Sequence, residues 1–166
     1  MIQKIPQRMA WIIAKYGFSA IPTYENSFYG RGWYFSTSLD YASLCTPSVQ
    51  GEDYVYLLSL VAPGNSYPVI ETPVIGFTDS VQGYPCRPGY QSHYAMVQST
   101  PEGLGSPTTS SDSSVGELMI SDPSQALPFF IFKLEGETIA PTSISPQSRS
   151  EWNLRLDHTW NSMTFF

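Results

Sequence analysis

Tyr29-Gly30-Arg31-Gly32-Trp33-Tyr34-Phe35-Ser36, with Leu39-Asp40-Tyr41-Ala42-Ser43-Leu44-Cys45 close behind it, decides how the chain reads. Two glycines around an arginine form a turn, and three large aromatic residues after it read as a buried strand. Leu39–Cys45, with Asp40 near its start, reads as a short helix. Working outward, Tyr54–Val61 (YVYLLSLV) is the best strand in the sequence, rich in β-branched and aromatic residues and ended by Pro63-Gly64-Asn65. Upstream, Pro6 fits a first helical turn, and Met9, Ile12, Ile13 and Tyr16 follow at helical spacing until Gly17 stops them. This is the clearest helix. Residues 93–97, 118–120 and 127–134 read as further strands, the last two joined by the turn SDPSQA. Short helices therefore alternate with strands, which predicts a mixed α+β fold.

Two stretches do not fit regular elements. Residues 63–89 carry repeated Pro and Gly with scattered aromatics, and read as a long ordered excursion. Residues 99–116 (STPEGLGSPTTSSDSSVG) are nearly free of large apolar side chains and read as a mobile loop outside any core. The domain is expected to span 1–137, with 138–166 as a C-terminal appendage or linker. Trp152 and Trp160 lie there in a mostly polar context.

Composition narrows the function. The chain has 166 residues, one domain's worth. Charged residues are only 13%, about half the usual share, while aromatics reach 14%, so neither a disordered chain nor a coiled coil is indicated. With 12 Gly and 14 Pro, long helices have little room. A net charge of -6 supplies no basic stripe for a phosphate backbone, so direct duplex DNA binding is not expected. Cys45 and Cys86 have no second Cys or His at metal-ligand spacing, so no metal is expected. No eighteen apolar residues run together, and the first residues lack a signal-peptide core. The expectation is an intracellular protein, nuclear or cytoplasmic, without membrane partners.

Three segments, in order, carry a resemblance over roughly residues 6–135. They are Tyr29-Gly30-Arg31-Gly32-Trp33-Tyr34-Phe35-Ser36, Gly89-Tyr90-Gln91-Ser92, and the run from Glu117 through Ser121-Asp122-Pro123-Ser124-Gln125 to Pro128. Together they resemble the catalytic domain of the poly(ADP-ribose) polymerases, the ADP-ribosyltransferases named for a His-Tyr-Glu triad. The resemblance implies a split, twisted, mainly antiparallel sheet with short helices, and NAD as donor. It puts Tyr34 on the triad tyrosine, stacking on the nicotinamide ring, and Glu117 on the triad glutamate. There a carboxylate would bond the ribose 2'-OH and stabilise the positive charge that builds on the sugar as nicotinamide leaves. Tyr34 and Glu117 are thus the implied catalytic residues. Gly32, Tyr24, Tyr29, Tyr41 and Ser43 are the implied donor contacts, with a protein acceptor as partner.

The sequence departs from the family in two places. Gln3-Lys4-Ile5 stand where the family carries its His-Gly motif, so the triad histidine is absent. In the short helix the family's Tyr-Ser-x-x-Tyr would give Ser at Ala42 and a stacking Tyr at Cys45. Tyr41 and Ser43 are the adjacent substitutes, although one residue on a helix turns a side chain by about 100°. The reading favoured is an NAD-dependent ADP-ribosyltransferase, a glycosyl-transferring enzyme. The alternatives are a catalytically inactive member of the same fold that binds or scaffolds, and an unrelated aromatic-rich binding domain. His93 and His158 lack a nucleophile or carboxylate at a diagnostic spacing and read as structural.

Overall fold

Among the described residues, seven strands and two α-helices follow one another as β1 (Ile2–Pro6), α1 (Gln7–Tyr16), β2 (Trp33–Ser36), α2 (Leu39–Cys45), β3 (Tyr54–Val61), β4 (Ser66–Val69), β5 (Ser92–Gln98), β6 (Ser114–Ile120) and β7 (Ala126–Phe132). These come from a computed structural model, which describes residues 1–23, 28–46, 48–70, 81–100, 104–108 and 114–134. The expected appendage 138–166 and Tyr24 lie outside them. The strands form one mixed sheet in the order β4-β5-β6-β2-β1-β3-β7. Every pairing is antiparallel except β4 with β5. The α+β class expected from the sequence is what the chain adopts. No helix among the described residues is long and apolar enough to cross a membrane.

One feature of the ladder positions everything else. β1 pairs with β3 over five residues, and β2 pairs with β6 over four, but β1 meets β2 only at Ile2 and Ser36. The two central strands part beyond that point, and the sheet divides into a β4-β5-β6-β2 wing and a β1-β3-β7 wing. Alternation along the strands then sorts side chains onto two faces. Trp33, Phe35, Leu118 and Ile120 join Leu57, Phe18 and Ile13 of α1 in one apolar cluster. Tyr34, Ser36, Glu117 and Met119 lie on the opposite face, which α2 covers. There Tyr29, Tyr41, Val69, Val81, Ala95 and Val97 make a second cluster.

Local chemistry accounts for the helix ends. Pro6 takes an extended ψ of 136°, so it is the last strand residue and the N-cap of α1, not a member of the first helical turn as expected. Gly17, at φ +79°, ends α1 with its N–H on the Ile13 carbonyl at 2.7 Å. α2 occupies the expected residues, with the Ser38 hydroxyl accepting from the Tyr41 N–H at 3.3 Å and Asp40 in the first turn.

Two expectations are corrected. The 63–89 excursion contains β4, an edge strand in which Pro68 is tolerated because its missing N–H falls where the sheet ends. The stretch 99–116 is not all loop. β6 begins at Ser114 and pairs with β5 along its whole length, while Leu104 and Val115 pack against the second cluster.

Candidate functional site

The parting of β1 from β2 opens a cleft lined from both faces of the sheet. On the α2 face it is bordered by Lys4, Tyr34, Tyr41, Ala42, Cys45 and Glu117, and on the α1 face by Gln3, Ile5, Met9, Ile13, Trp33 and Phe35. Its volume, about 110 Å³, is below the ~300–1,000 Å³ usual for whole small-molecule sites. The space suits one ring or a sugar, with any larger molecule extending beyond it.

Glu117 stands in mid-strand on β6, opposite Ser36 of β2 and Ala95 of β5. β6 begins three residues before it, at Ser114. Its carboxylate accepts a 2.5 Å hydrogen bond from the Tyr41 hydroxyl. Burial raises the Glu117 pKa, and the Tyr41 bond works against that rise. Tyr41 is itself buried, and its hydroxyl is pushed far up by burial and then by the neighbouring carboxylate, so it stays protonated and donating. The Cys45 thiol is also raised, first by desolvation, although the residue as a whole is exposed.

Tyr34 shares the Glu117 face by register, since Tyr34 and Ser36 are two apart and Ser36 sits opposite Glu117. Its hydroxyl donates to the Gly30 carbonyl at 2.6 Å and accepts from the Tyr29 N–H at 2.9 Å. These bonds fix the ring and tie the preceding turn to β2. His93 supports that turn from β5. Its Nε2 accepts from the Arg87 N–H at 3.0 Å, which leaves Nδ1–H to donate to the Tyr29 carbonyl at 2.7 Å. Burial holds the His93 pKa below its ordinary value, in keeping with a neutral ring.

The residues singled out from the sequence therefore divide. Tyr34, Glu117 and Tyr41 come together at the cleft. Tyr29 is buried beside it, with its hydroxyl donating to the Gly105 carbonyl. Ser43 turns away toward β3, where its hydroxyl meets that of Tyr56 and donates to the Leu39 carbonyl at 3.0 Å. At Gly32 an added Cβ would collide with the Ile120 carbonyl oxygen and approach Met119 Sδ to 2.5 Å. Its bareness lets β2 close on β6. The helix positions where the resemblance asks for Ser and Tyr, Ala42 and Cys45, do line the cleft.

Gln3 and Lys4, read from the sequence only as standing where the family has His-Gly, and Trp33, read only as part of a buried strand, all line the cleft. Lys4 is a 7% exposed cation with Nζ 5.8 Å from the Tyr54 ring centre. Gln3 donates from Nε2 to the Tyr34 carbonyl at 2.5 Å, across the parting strands. Spacing alone could not have flagged Gln3 and Lys4 as cleft residues, because a hydrophilic residue in a short apolar strand reads as its solvent side. Among the described residues no group of three or more His, Cys, Asp or Glu could hold a metal ion. No protein-family model matches the chain, and no curated protein matches its sequence.

Proposed function

We propose that this domain acts on NAD, breaking the nicotinamide–ribose bond and passing ADP-ribose to an acceptor such as a protein side chain. The observation that carries the reading is that Tyr34 and Glu117, implied together by the resemblance, lie on one face of adjacent strands and both border the cleft at the sheet's split. An ADP-ribosyltransferase-like split sheet is part of the same reading, supported by the parted β1 and β2 and by one short helix over the carboxylate face. The tyrosine ring, held by both its hydroxyl bonds, offers a flat surface to a nicotinamide ring. Glu117 supplies negative charge where the sugar becomes positive as the C–N bond breaks and its electron pair leaves with nicotinamide. That role needs the ionised carboxylate. Burial opposes ionisation and the Tyr41 hydroxyl favours it, which makes Tyr41 a positioning residue for the glutamate.

A second reading has its own observation. One oxygen of Glu117 already holds Tyr41, Ala42 and Cys45 cannot supply the hydroxyl and ring the family uses, and Gln3-Lys4-Ile5 stand in for His-Gly on β1. These favour a member that binds NAD without turning it over. Nicotinamide release from labelled NAD, with label transfer to protein scored in the same tube, separates the two. Transfer predicts release that falls by about 10²–10³ in Glu117→Ala at an unchanged melting profile. Release equal in both forms removes Glu117 from the chemistry. A folded wild type that releases nothing, yet melts higher with NAD, establishes the binding reading.

A further inference from the structure

Tyr29 is pinned at three points. Its N–H donates to the Tyr34 hydroxyl at 2.9 Å, its carbonyl accepts from His93 Nδ1–H at 2.7 Å, and its own hydroxyl donates to the Gly105 carbonyl. The first two bonds fix the residue to β2 and β5. The third reaches a strap, residues 104–108, that is tied to the end of β5. There the Gly105 N–H donates to the Gln98 carbonyl at 3.2 Å, the Gln98 N–H to the Ser106 carbonyl at 2.9 Å, and the Thr108 N–H to the Met96 carbonyl at 2.8 Å. Leu104 anchors the strap to the cluster that holds Tyr29 and Tyr41. A Cβ added to Gly105 would stand 3.5 Å from the Tyr41 hydroxyl oxygen, so the strap passes in contact with the side chain that bonds Glu117. Burial, and after it the charge of Glu117, raises the pKa of the Tyr29 hydroxyl, which places that hydroxyl close to the carboxylate and keeps it protonated and donating.

We propose that Tyr29 is a positioning residue whose hydroxyl latches the 104–108 strap over the Glu117–Tyr41 pair, so that water reaches the carboxylate from the cleft and not past the strap. Tyr29 acts through Glu117, and at 3% exposure it has little surface to give a donor. Desolvation as the first cause of the raised Glu117 pKa agrees with a carboxylate covered on that side. The inference deepens the NAD reading and rests on it only for the chemical consequence. Water competes with the acceptor for the ribose C1 carbon. Its oxygen bonds that carbon as the C–N bond breaks, the electron pair leaves with nicotinamide, and the water's proton passes to Glu117. A latched strap restricts that water and favours transfer over hydrolysis.

The test is Tyr29→Phe in the full chain, which keeps the buried ring and removes the latch. Amide exchange at Gly105 and Thr108 is expected to quicken about tenfold, while exchange at Leu57 and Leu118 in the core is unchanged. The Glu117 carboxyl, followed by its 13C side-chain signal, is expected to titrate at a pH roughly half a unit lower, because water regained on the strap side favours the charged form. Quicker exchange with an unchanged titration shows a hydroxyl that only packs the strap, and overturns the proposal. Exchange and titration both unchanged overturn it as well. Should Tyr29→Phe fail to fold, Leu104→Ala, which loosens the strap at its other anchor, must give the same two changes. NAD turnover is measured on the same samples. In a wild type that turns over, free ADP-ribose per nicotinamide released is expected to rise about twofold or more in Tyr29→Phe, and an unchanged share overturns the control of water. A wild type that releases no nicotinamide sinks the transferase reading alone, and titration and exchange then decide the latch.

Discussion

The two faces of the sheet are built on different terms. Against α1, Ile13, Phe18, Phe35, Leu57, Leu118 and Ile120 bury one another in a nearly continuous apolar layer. Against α2, the interior mixes Val69, Val81, Ala95 and Val97 with tyrosines, a neutral histidine, a half-buried glutamate and a buried lysine, and the histidine and glutamate are held by hydrogen bonds whose partners come from distant parts of the chain. Apolar burial is favourable wherever the shapes fit, whereas buried polar groups repay their desolvation only when each is paired. The first face is expected to supply most of the stability. The second holds groups whose charge and orientation can be used, and the cleft lies where the two meet.

Truncation is the strongest way to break that comparison. Phe35 is 1% exposed and packs edge-on against Phe18 at 5.5 Å between ring centres. Phe35→Ala is expected to cost about 3–5 kcal/mol in urea unfolding. Next comes Gly32→Ala, at about 1–3 kcal/mol, because backbone of β6 fills the space a Cβ needs. Tyr34→Phe on the other face removes two hydrogen bonds and keeps the ring, for a loss of about 1–2 kcal/mol. Equal losses for Tyr34→Phe and Phe35→Ala would show that the polar face carries as much of the fold as the apolar one.

The same division explains what the sequence made legible. α2 and β3 fall on the residues read for them, because a Ser cap, an acidic first turn and a run of β-branched and aromatic residues are local signals. β4 escaped because its four residues are defined by a parallel pairing to β5 about 26 positions away. The early start of β6 escaped for a related reason. Its second and third residues are Val115 and Gly116, and the Tyr94 ring lies against the bare glycine, a contact invisible in local composition. At the cleft, motif order points to Tyr34 and Glu117, which the fold places on one face, but not to the partners they bond. Tyr41 reads from the sequence as a donor contact, and its hydroxyl bond to Glu117 is visible only in the fold.

Acid sharpens the contrast next, through His93. Its folded pKa lies below the ordinary 6.5 because burial disfavours the charged ring and Arg87 adds to that. The unfolded chain therefore takes up the proton first as pH falls through about 6.5, and the folded state loses stability from there down to its own lower pKa. Urea midpoints at pH 7.5 and 5.5 are expected to differ in that direction, and His93→Gln to reduce the difference. An unaltered difference in His93→Gln would place the acid sensitivity elsewhere.

The smallest expected effect is the most informative about the site. Glu117 feels two opposed influences, burial raising its pKa and the Tyr41 hydroxyl lowering it. Tyr41→Phe keeps the buried ring and removes only the second, so the carboxyl must titrate at higher pH than in the wild type. If transfer needs ionised Glu117, the acidic limb of the rate profile moves to higher pH by the same interval, with little change on the plateau. A 13C titration of the Glu117 side chain reads the shift whether or not the protein turns over NAD. A carboxyl that titrates unchanged in Tyr41→Phe would mean that burial alone sets its charge and that the short bond between the two side chains only packs α2 onto the sheet.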